Sequence, residues 1–294
     1  MNVEDAVQVV RGHPDYRVLE KFSPVNSYKR MDDRPLKVGA YVDTETTGVD
    51  TRKDNIIELA IAKFRYDDDG QIYIVGNGDS FLNDPGVPLD EKIRSVTGIT
   101  DEDVKGQVID ARNVDDLLSD VDLVLAHNAG FDRRMCERYF HRFAELPWAC
   151  AQNDIPWRRE FGSPGLALEV IATFVGGIFY NAHRALIDCQ VGIHMLNAKD
   201  RGGKSALLYA IHAASEDSLR VWAIGSPFHT KDMLKERGYQ WNDGRDGRPK
   251  AWHRNMGQDN EDIQEEITWL RTNVGAYPEV TSTSALDRYS VREQ

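Results

Sequence analysis

Cysteine is scarce in this chain: three in 294 residues, Cys136, Cys150 and Cys189, with no CxxC pair. An odd, unpatterned set excludes a disulfide framework and argues against a zinc site. The expectation is buried free thiols in a reducing compartment. No run of eighteen apolar residues occurs, which argues against a membrane span. The start, MNVEDAVQVV, is acidic and lacks a long apolar core, which argues against a signal peptide. Together these absences predict a soluble, cytoplasmic protein. Internal repeats and low-complexity tracts are also missing. Positive charge is short as well: 36 Lys+Arg face 48 Asp+Glu, a net charge of −12. Proteins that coat nucleic acid are usually basic, so that class is disfavoured. The deficit is uneven, because residues 201–294 are nearly balanced, with 13 Lys+Arg against 14 Asp+Glu. The acid excess of the first 200 residues fits either a patch that collects divalent cations or plain solubility.

What is present is the pattern of a globular α/β protein, 41% hydrophobic and long enough for one large or two smaller domains. Residues 1–36 read as an N-terminal extension with a short amphipathic stretch (Val7, Val10, Tyr16, Val18, Leu19) that packs on the main domain. KVGAYVD, IIELAIAKFRY and QIYIVGNGDSFL read as strands of a meander, the last two joined by Asp67, Asp68, Asp69 and Gly70. Thr100 and Asp103 form a capping pair for a short helix, and residues 112–119 are helical. DLVLAH (122–127) is a buried strand. Asn128 is expected to cap a helix reaching about Phe143, and further helices are expected over 166–175 and 184–197. Strands followed by strand–helix pairs imply a mixed sheet of five-stranded type with helices on its faces.

After Lys199, DRGGK reads as a linker, SALLYAIHAAS as a helix and SLRVWAIG as a strand. Pro227 and Thr230 start a helix that Gly238 ends. A hairpin is expected between YQW and PKAWHR, around Asp243-Gly244 and Asp246-Gly247. An amphipathic helix over 259–274 completes a small α+β domain, so the expected division is 1–36, 37–200 and 201–294.

The stretch YVDTETTG (41–48) ends a strand with Asp43 and Glu45, two residues apart and therefore on one face, where they repel. A hard cation such as Mg²⁺ or Mn²⁺ takes oxygen ligands and cancels that repulsion. Solvated acids at a strand end are the bland alternative. In LVLAHNAGFDRR (123–134), Asp132 lies in the first turn of a helix, where an acid gains about 0.3–1 kcal/mol from the helix dipole alone. In NAHRALIDCQ (181–190), His183 stands before a helix that carries Asp188, five residues or roughly 7.5 Å along the axis. An imidazole there can take a proton from water beside a carboxylate that binds metal. A phosphatase of the haloacid dehalogenase type also opens on a strand and Asp-x-Asp-x-Thr. Here Glu45 occupies its third position, and no well-placed lysine with a later acidic pair follows.

With Asp43, Glu45, Asp132, His183 and Asp188 assembled, the sequence resembles the DEDDh exonucleases, the DnaQ-like family that includes proofreading subunits and ribonuclease T. Its motifs read YVDTETTG, LVLAHNAGFD and AHRALIDC, with supporting matches at DNIIELA (54–60) and VTGITDEDV (96–104). The resemblance covers about residues 37–200 and implies a ribonuclease H-like fold. It also implies a 3′–5′ exonuclease that releases nucleoside 5′-monophosphates with two Mg²⁺ or Mn²⁺ ions. Asp43 would bridge the ions, Glu45 and Asp188 would hold the one that activates water, Asp132 would help hold the other, and His183 would be the base. Thr44, Thr46, His127 and Asn128 are the expected substrate contacts, and Phe131 is expected to pack in the core.

The C-terminal region interleaves bases with aromatics between Arg220 and Arg254. Lys250, Trp252 and Arg254 fall on one face of an expected strand, which suits single-stranded nucleic acid. The competing reading is that these aromatics fill a small core. The expected partner is a nucleic acid 3′ end, DNA favoured, with no membrane; the motifs leave a homodimer and a polymerase partner open. Two rival functions stand beside the exonuclease: a phosphodiesterase restricted to short oligonucleotides, and a non-catalytic nucleic-acid-binding protein acting through its C-terminal region.

Overall fold

The computed structural model describes residues 2–244, 248–256 and 260–292. In chain order the elements are α1 (Val3–Arg11), β1 (Glu20–Lys21), β2 (Lys37–Thr46), β3 (Ile56–Tyr66), β4 (Ile72–Val75), β5 (Asp79–Leu82), α2 (Glu91–Thr97), α3 (Asp101–Val104) and α4 (Ala111–Leu117). Then come β6 (Leu123–Ala126), α5 (Ala129–Tyr139), β7 (Trp148–Cys150), α6 (Leu168–Ile171), β8 (Ile178–Phe179), α7 (Ala185–Leu196) and α8 (Ala206–Ser215). The C-terminal part holds β9 (Ser218–Ile224), α9 (Lys231–Glu236), β10 (Gln240–Trp241), β11 (Trp252–Met256), α10 (Asn260–Trp269) and β12 (Tyr277–Thr283).

The main sheet runs β4-β3-β2-β6-β7, and β5 also pairs with β3. The first three strands are antiparallel and β2, β6 and β7 are parallel, giving a mixed sheet. Alternation along β2 divides the core. Val38, Ala40 and Val42 face a cluster that includes Met135 and Cys136 of α5, whereas Tyr41 faces one that includes Cys189 and Ile193 of α7. Helix α7 lies across β2 and β3. Its close approach needs Gly192, because a Cβ there would overlap the Tyr41 ring. One turn before Gly192, the same contact sets Asp188 against the strand that carries Asp43.

Helix α5 stops at Tyr139 and the chain continues as a 3₁₀ turn, His141–Glu145, so the helix expected to reach Phe143 is shorter. The expected cap is also corrected: Asn128 sits at the cap position but its side chain makes no capping bond. Thr100 and Asp103 do form a reciprocal capping box. The N-terminal segment packs differently from its sequence pattern. No residue of α1 is buried, and Tyr16 is exposed. Attachment comes instead from β1, which pairs with β8, from Phe22 in the core, and from the Tyr28 hydroxyl, 2.7 Å from His194 Nδ1.

The C-terminal region forms a second sheet, β10-β11-β9-β12, over a core of Val221, Leu234, Tyr239, Leu270 and neighbours. Pro278 is tolerated in β12 because that strand is an edge. Trp222 is fully buried and Trp252 packs on this core, so much of the aromatic content fills a small domain, as its size demands. Strand β11 begins at Trp252, so Lys250 precedes it rather than sharing its face. Asp246-Gly247 of the expected hairpin lies outside the described residues. After β12 the chain returns to α5: the fully buried Arg133 guanidinium donates to the carbonyls of Ala285, Leu286 and Arg288.

Candidate active site

At the end of β2, Asp43 and Glu45 point to the α7 face, and Asp188 in the first turn of α7 meets them. One oxygen from each lies within 4.8 Å of the other two. Among the described residues, no Lys or Arg forms an ion pair with these three acids. Burial raises the Asp43 carboxyl well above its usual range, and the charges of Asp132, Asp188 and Glu45 add to the effect. Burial, then the charges of Asp188 and Glu58, push Glu45 up to about 8. Three oxygens this close, with no basic partner, are a donor set that fits a hard divalent cation.

Asp132 joins from the other side of β2. Thr44, whose side chain faces α5, donates its N–H (3.1 Å) and its hydroxyl (2.8 Å) to Asp132 Oδ1. Burial pushes Asp132 up to about 7 against these two bonds. Thr44 was expected at the substrate; it is buried, and both donors are committed to the carboxylate.

Asp188 is held by three donors. Oδ1 accepts from the Tyr180 hydroxyl (2.8 Å), and Oδ2 accepts from the backbone N–H of His183 (2.9 Å) and Arg184 (3.2 Å). Burial raises this carboxyl and the three bonds offset part of the rise. His183 is exposed and adopts a left-handed backbone, φ 68°, which costs a non-glycine residue about 1–3 kcal/mol. The surrounding bonds hold it there.

Glu58 is the residue that motif reading passed over. It lies opposite Glu45 in the β2–β3 register, is fully buried, and accepts from Ser80 Oγ (2.6 Å). It also accepts from Arg184 Nε (3.2 Å) and Nη2 (3.1 Å) and from the Ala185 N–H (3.1 Å). It therefore pins the residues that follow His183 to the sheet. An acid inside the apolar run IIELA was the available signal, since a buried carboxylate demands a partner. Asp54, in the same stretch, accepts from the Asp50 N–H (2.7 Å) and shapes the turn after Glu45.

The remaining expected contacts divide. Thr46 Oγ1 donates to Gly48 O (2.6 Å) and closes the turn. His127 Nε2 lies 2.8 Å from the Leu166 carbonyl, so Nε2 carries the proton; burial lowers the ring's affinity for a second one. That nitrogen is thus turned to the protein. Asn128 is exposed and lines a cleft, as does Phe131, which is the chain neighbour of Asp132 and also packs on the α5 core. In the C-terminal sheet Arg254 lines that cleft, whereas Lys250 and Trp252 do not.

A mixed sheet flanked by helices, with four acids gathered at the end of its central strand, is the architecture of ribonuclease H-like nucleases. The family model RNase_T, described as Exonuclease, matches residues 41–196. The chain belongs to this exonuclease family. It is 31% identical over 171 residues to a "DNA polymerase III PolC-type" of Staphylococcus haemolyticus (strain JCSC1435), covering 54% of this chain and 11% of that protein. A protein of the same name from Staphylococcus saprophyticus is 35% identical over 176 residues, covering 55% of this chain and 11% of that protein. The chain thus spans about a tenth of the length of these curated relatives. Among solved structures, the zinc-bound E. coli ExoI–ssDNA complex superposes with a TM-score of 0.52 at 15% identity, over 82% of this chain and 68% of that one. That likeness is one of fold. No helix among the described residues is long and apolar enough to cross a membrane.

Proposed function

We propose that residues 37–200 are the catalytic unit of an exonuclease that removes nucleoside 5′-monophosphates from the 3′ end of single-stranded nucleic acid, with DNA as the favoured substrate. The observation that carries this reading is the meeting of Asp43, Glu45 and Asp188 within 4.8 Å, without a basic partner among the described residues. Asp132, held by Thr44, completes a set that would hold two Mg²⁺ or Mn²⁺ ions. Bound there, such ions supply charge neutralisation at the scissile phosphate and activation of the attacking water. The chain's own residues supply the rest. Asp188 fixes the His183 backbone, Glu58 fixes Arg184, and the exposed His183 ring takes the proton from water. Thr46 and Gly48 shape the turn against which the terminal nucleotide rests.

The preference for DNA draws on the matched relatives, which are named as DNA polymerases. Three buried free cysteines suit a reducing, cytoplasmic setting. The test is digestion of 5′-labelled DNA and RNA, single- and double-stranded, with Mg²⁺, Mn²⁺ or EDTA. Stepwise shortening from the 3′ end only with metal present is the expected result. No cleavage under any metal would return the chain to a binding role. Comparing a two-mer with a twenty-mer separates a general exonuclease from an enzyme for short oligonucleotides.

A further inference from the structure

Residues 201–294 bring a second sheet against the catalytic part, and the space between them is a cleft of about 790 Å³. Its lining includes residues that flank the acids in the chain. Phe131, on its wall, is the chain neighbour of Asp132, and Asn128 and Gly130 lie in the same helical turn. Its opposite wall comes from β10 and β11. In a protein of net charge −12, four arginines line this cleft: Arg134 from α5, and Arg220, Arg248 and Arg254 from the C-terminal region. Arg220 is largely buried and Arg254 pairs with Glu266 (3.4 Å), so Arg134 is the arginine on which the cleft's charge rests. No Asp or Glu lines it among the described residues. Arg134 donates Nε to a carbonyl, Tyr289 O (3.2 Å), a bond that anchors the stem and leaves its charge unneutralised by that partner. Trp241 is 48% exposed on the same wall, its ring braced edge-on by Trp252 at 5.6 Å.

We propose that this cleft binds the sugar–phosphate backbone and one or more bases of a single strand, upstream of the 3′ nucleotide held at the acids. The chemistry is specific to that ligand. The four acids repel a polyanion except where cations screen them, whereas the cleft presents Arg134 and no carboxylate among its described lining residues. Arginines track phosphates, and an exposed, braced indole stacks on any base. The cleft has a volume that suits a short stretch of single strand. It gives the C-terminal sheet a role that its own motifs do not state: a clamp that retains long strands. The inference rests on the exonuclease reading for the position of the 3′ end.

The test is fluorescence anisotropy in EDTA, where nothing is cut, with a labelled single-stranded DNA twenty-mer, a three-mer and a duplex twenty-mer. The twenty-mer single strand binds tightest. Arg134→Gln weakens it about tenfold and lowers the slope of log affinity against log salt by about 0.7. Trp241→Ala weakens it about tenfold with the slope unchanged. Both variants are first matched to the parent by circular dichroism. Twenty-mer affinity within twofold of the parent in both variants overturns the cleft, as does a duplex that binds as tightly as the single strand. If the parent chain binds in this way but cuts nothing with Mn²⁺, the catalytic reading fails and the cleft stands. If it cuts but the variants bind like the parent, the cleft fails alone.

Discussion

Thr44 commits both of its donors to a single oxygen of Asp132, the N–H at 3.1 Å and the hydroxyl at 2.8 Å. The threonine lies between Asp43 and Glu45 but faces the other side of the sheet, so one strand presents two acids and anchors a third. Thr44→Val keeps the shape and the N–H bond and loses the hydroxyl bond. A bond to a charged group contributes about 1.5–3 kcal/mol. The Mn²⁺-dependent rate is therefore expected to fall ten- to hundredfold with the fold intact. A rate within twofold of the parent would show that Asp132 needs no such support.

Asp43→Asn and Asp188→Ala are both expected to abolish hydrolysis, but they separate in stability. Burial and four neighbouring charges oppose ionisation of Asp43, so its neutral isostere raises the melting temperature in EDTA. Asp188→Ala removes the acceptor of Tyr180, His183 and Arg184 at the start of α7 and costs about 1–2 kcal/mol. Thermal melts in EDTA decide this. Shifts of the same sign for the two variants would contradict it.

Glu58→Gln is expected to slow hydrolysis about tenfold with Asp43, Glu45, Asp132 and Asp188 unchanged, because the Arg184 pair that holds the His183 segment is weakened. His183→Ala loses most of the rate and retains Mn²⁺ binding by calorimetry. The Glu58 variant should keep the parent's pH–rate profile at a lower rate, whereas the His183 variant should change its shape. An unchanged shape in the latter would remove His183 as the base.

The raised carboxyls set a pH dependence for the metal-free protein. Glu45 titrates near 4.5 when unfolded and is pushed up to about 8 in the fold; Asp132 goes from 3.8 to about 7. The folded state thus keeps protons that the unfolded chain has lost. The stability this contributes is full below the unfolded values and is lost as pH rises to about 8. Melting temperature in EDTA should fall between pH 5 and pH 8, and Mg²⁺ should restore more at pH 8. A flat profile in EDTA would argue that the acids are not coupled in this way.

The C-terminal return to α5 should be essential to stability. The buried Arg133 serves three carbonyls, and Ser290 donates to Glu137 Oε2 (2.5 Å) on the same helix. Arg133→Ala leaves those carbonyls buried without their donor, an expected loss of about 3–5 kcal/mol. Limited proteolysis should then cut within 284–292 well before the catalytic part. Equal protection in parent and variant would count against the clasp.

What the sequence determined was local. The period-two pattern of KVGAYVD and the sharp turn after it put Asp43 and Glu45 on one face, and the residue types named the chemistry, since two acids forced together ask for a cation. Motif order supplied Asp132, His183 and Asp188. Tertiary structure decided everything that depends on which segments meet. Thr44 and His127 lie inside motifs, yet their donors go to Asp132 and Leu166, partners that spacing along the chain does not reveal. The acid in IIELA signalled a buried carboxylate, but the partner of Glu58 is set only where β3 lies beside β2 and Arg184 arrives 126 residues later. The final strand, with a proline that masks its pattern, is recognisable only as an edge, and the clasp on Arg133 joins positions over 150 residues apart. Propensity and motif act within a few residues, whereas burial of a charge is satisfied by whatever the fold brings near. The sequence therefore named the acids, and the packing chose what holds them in place.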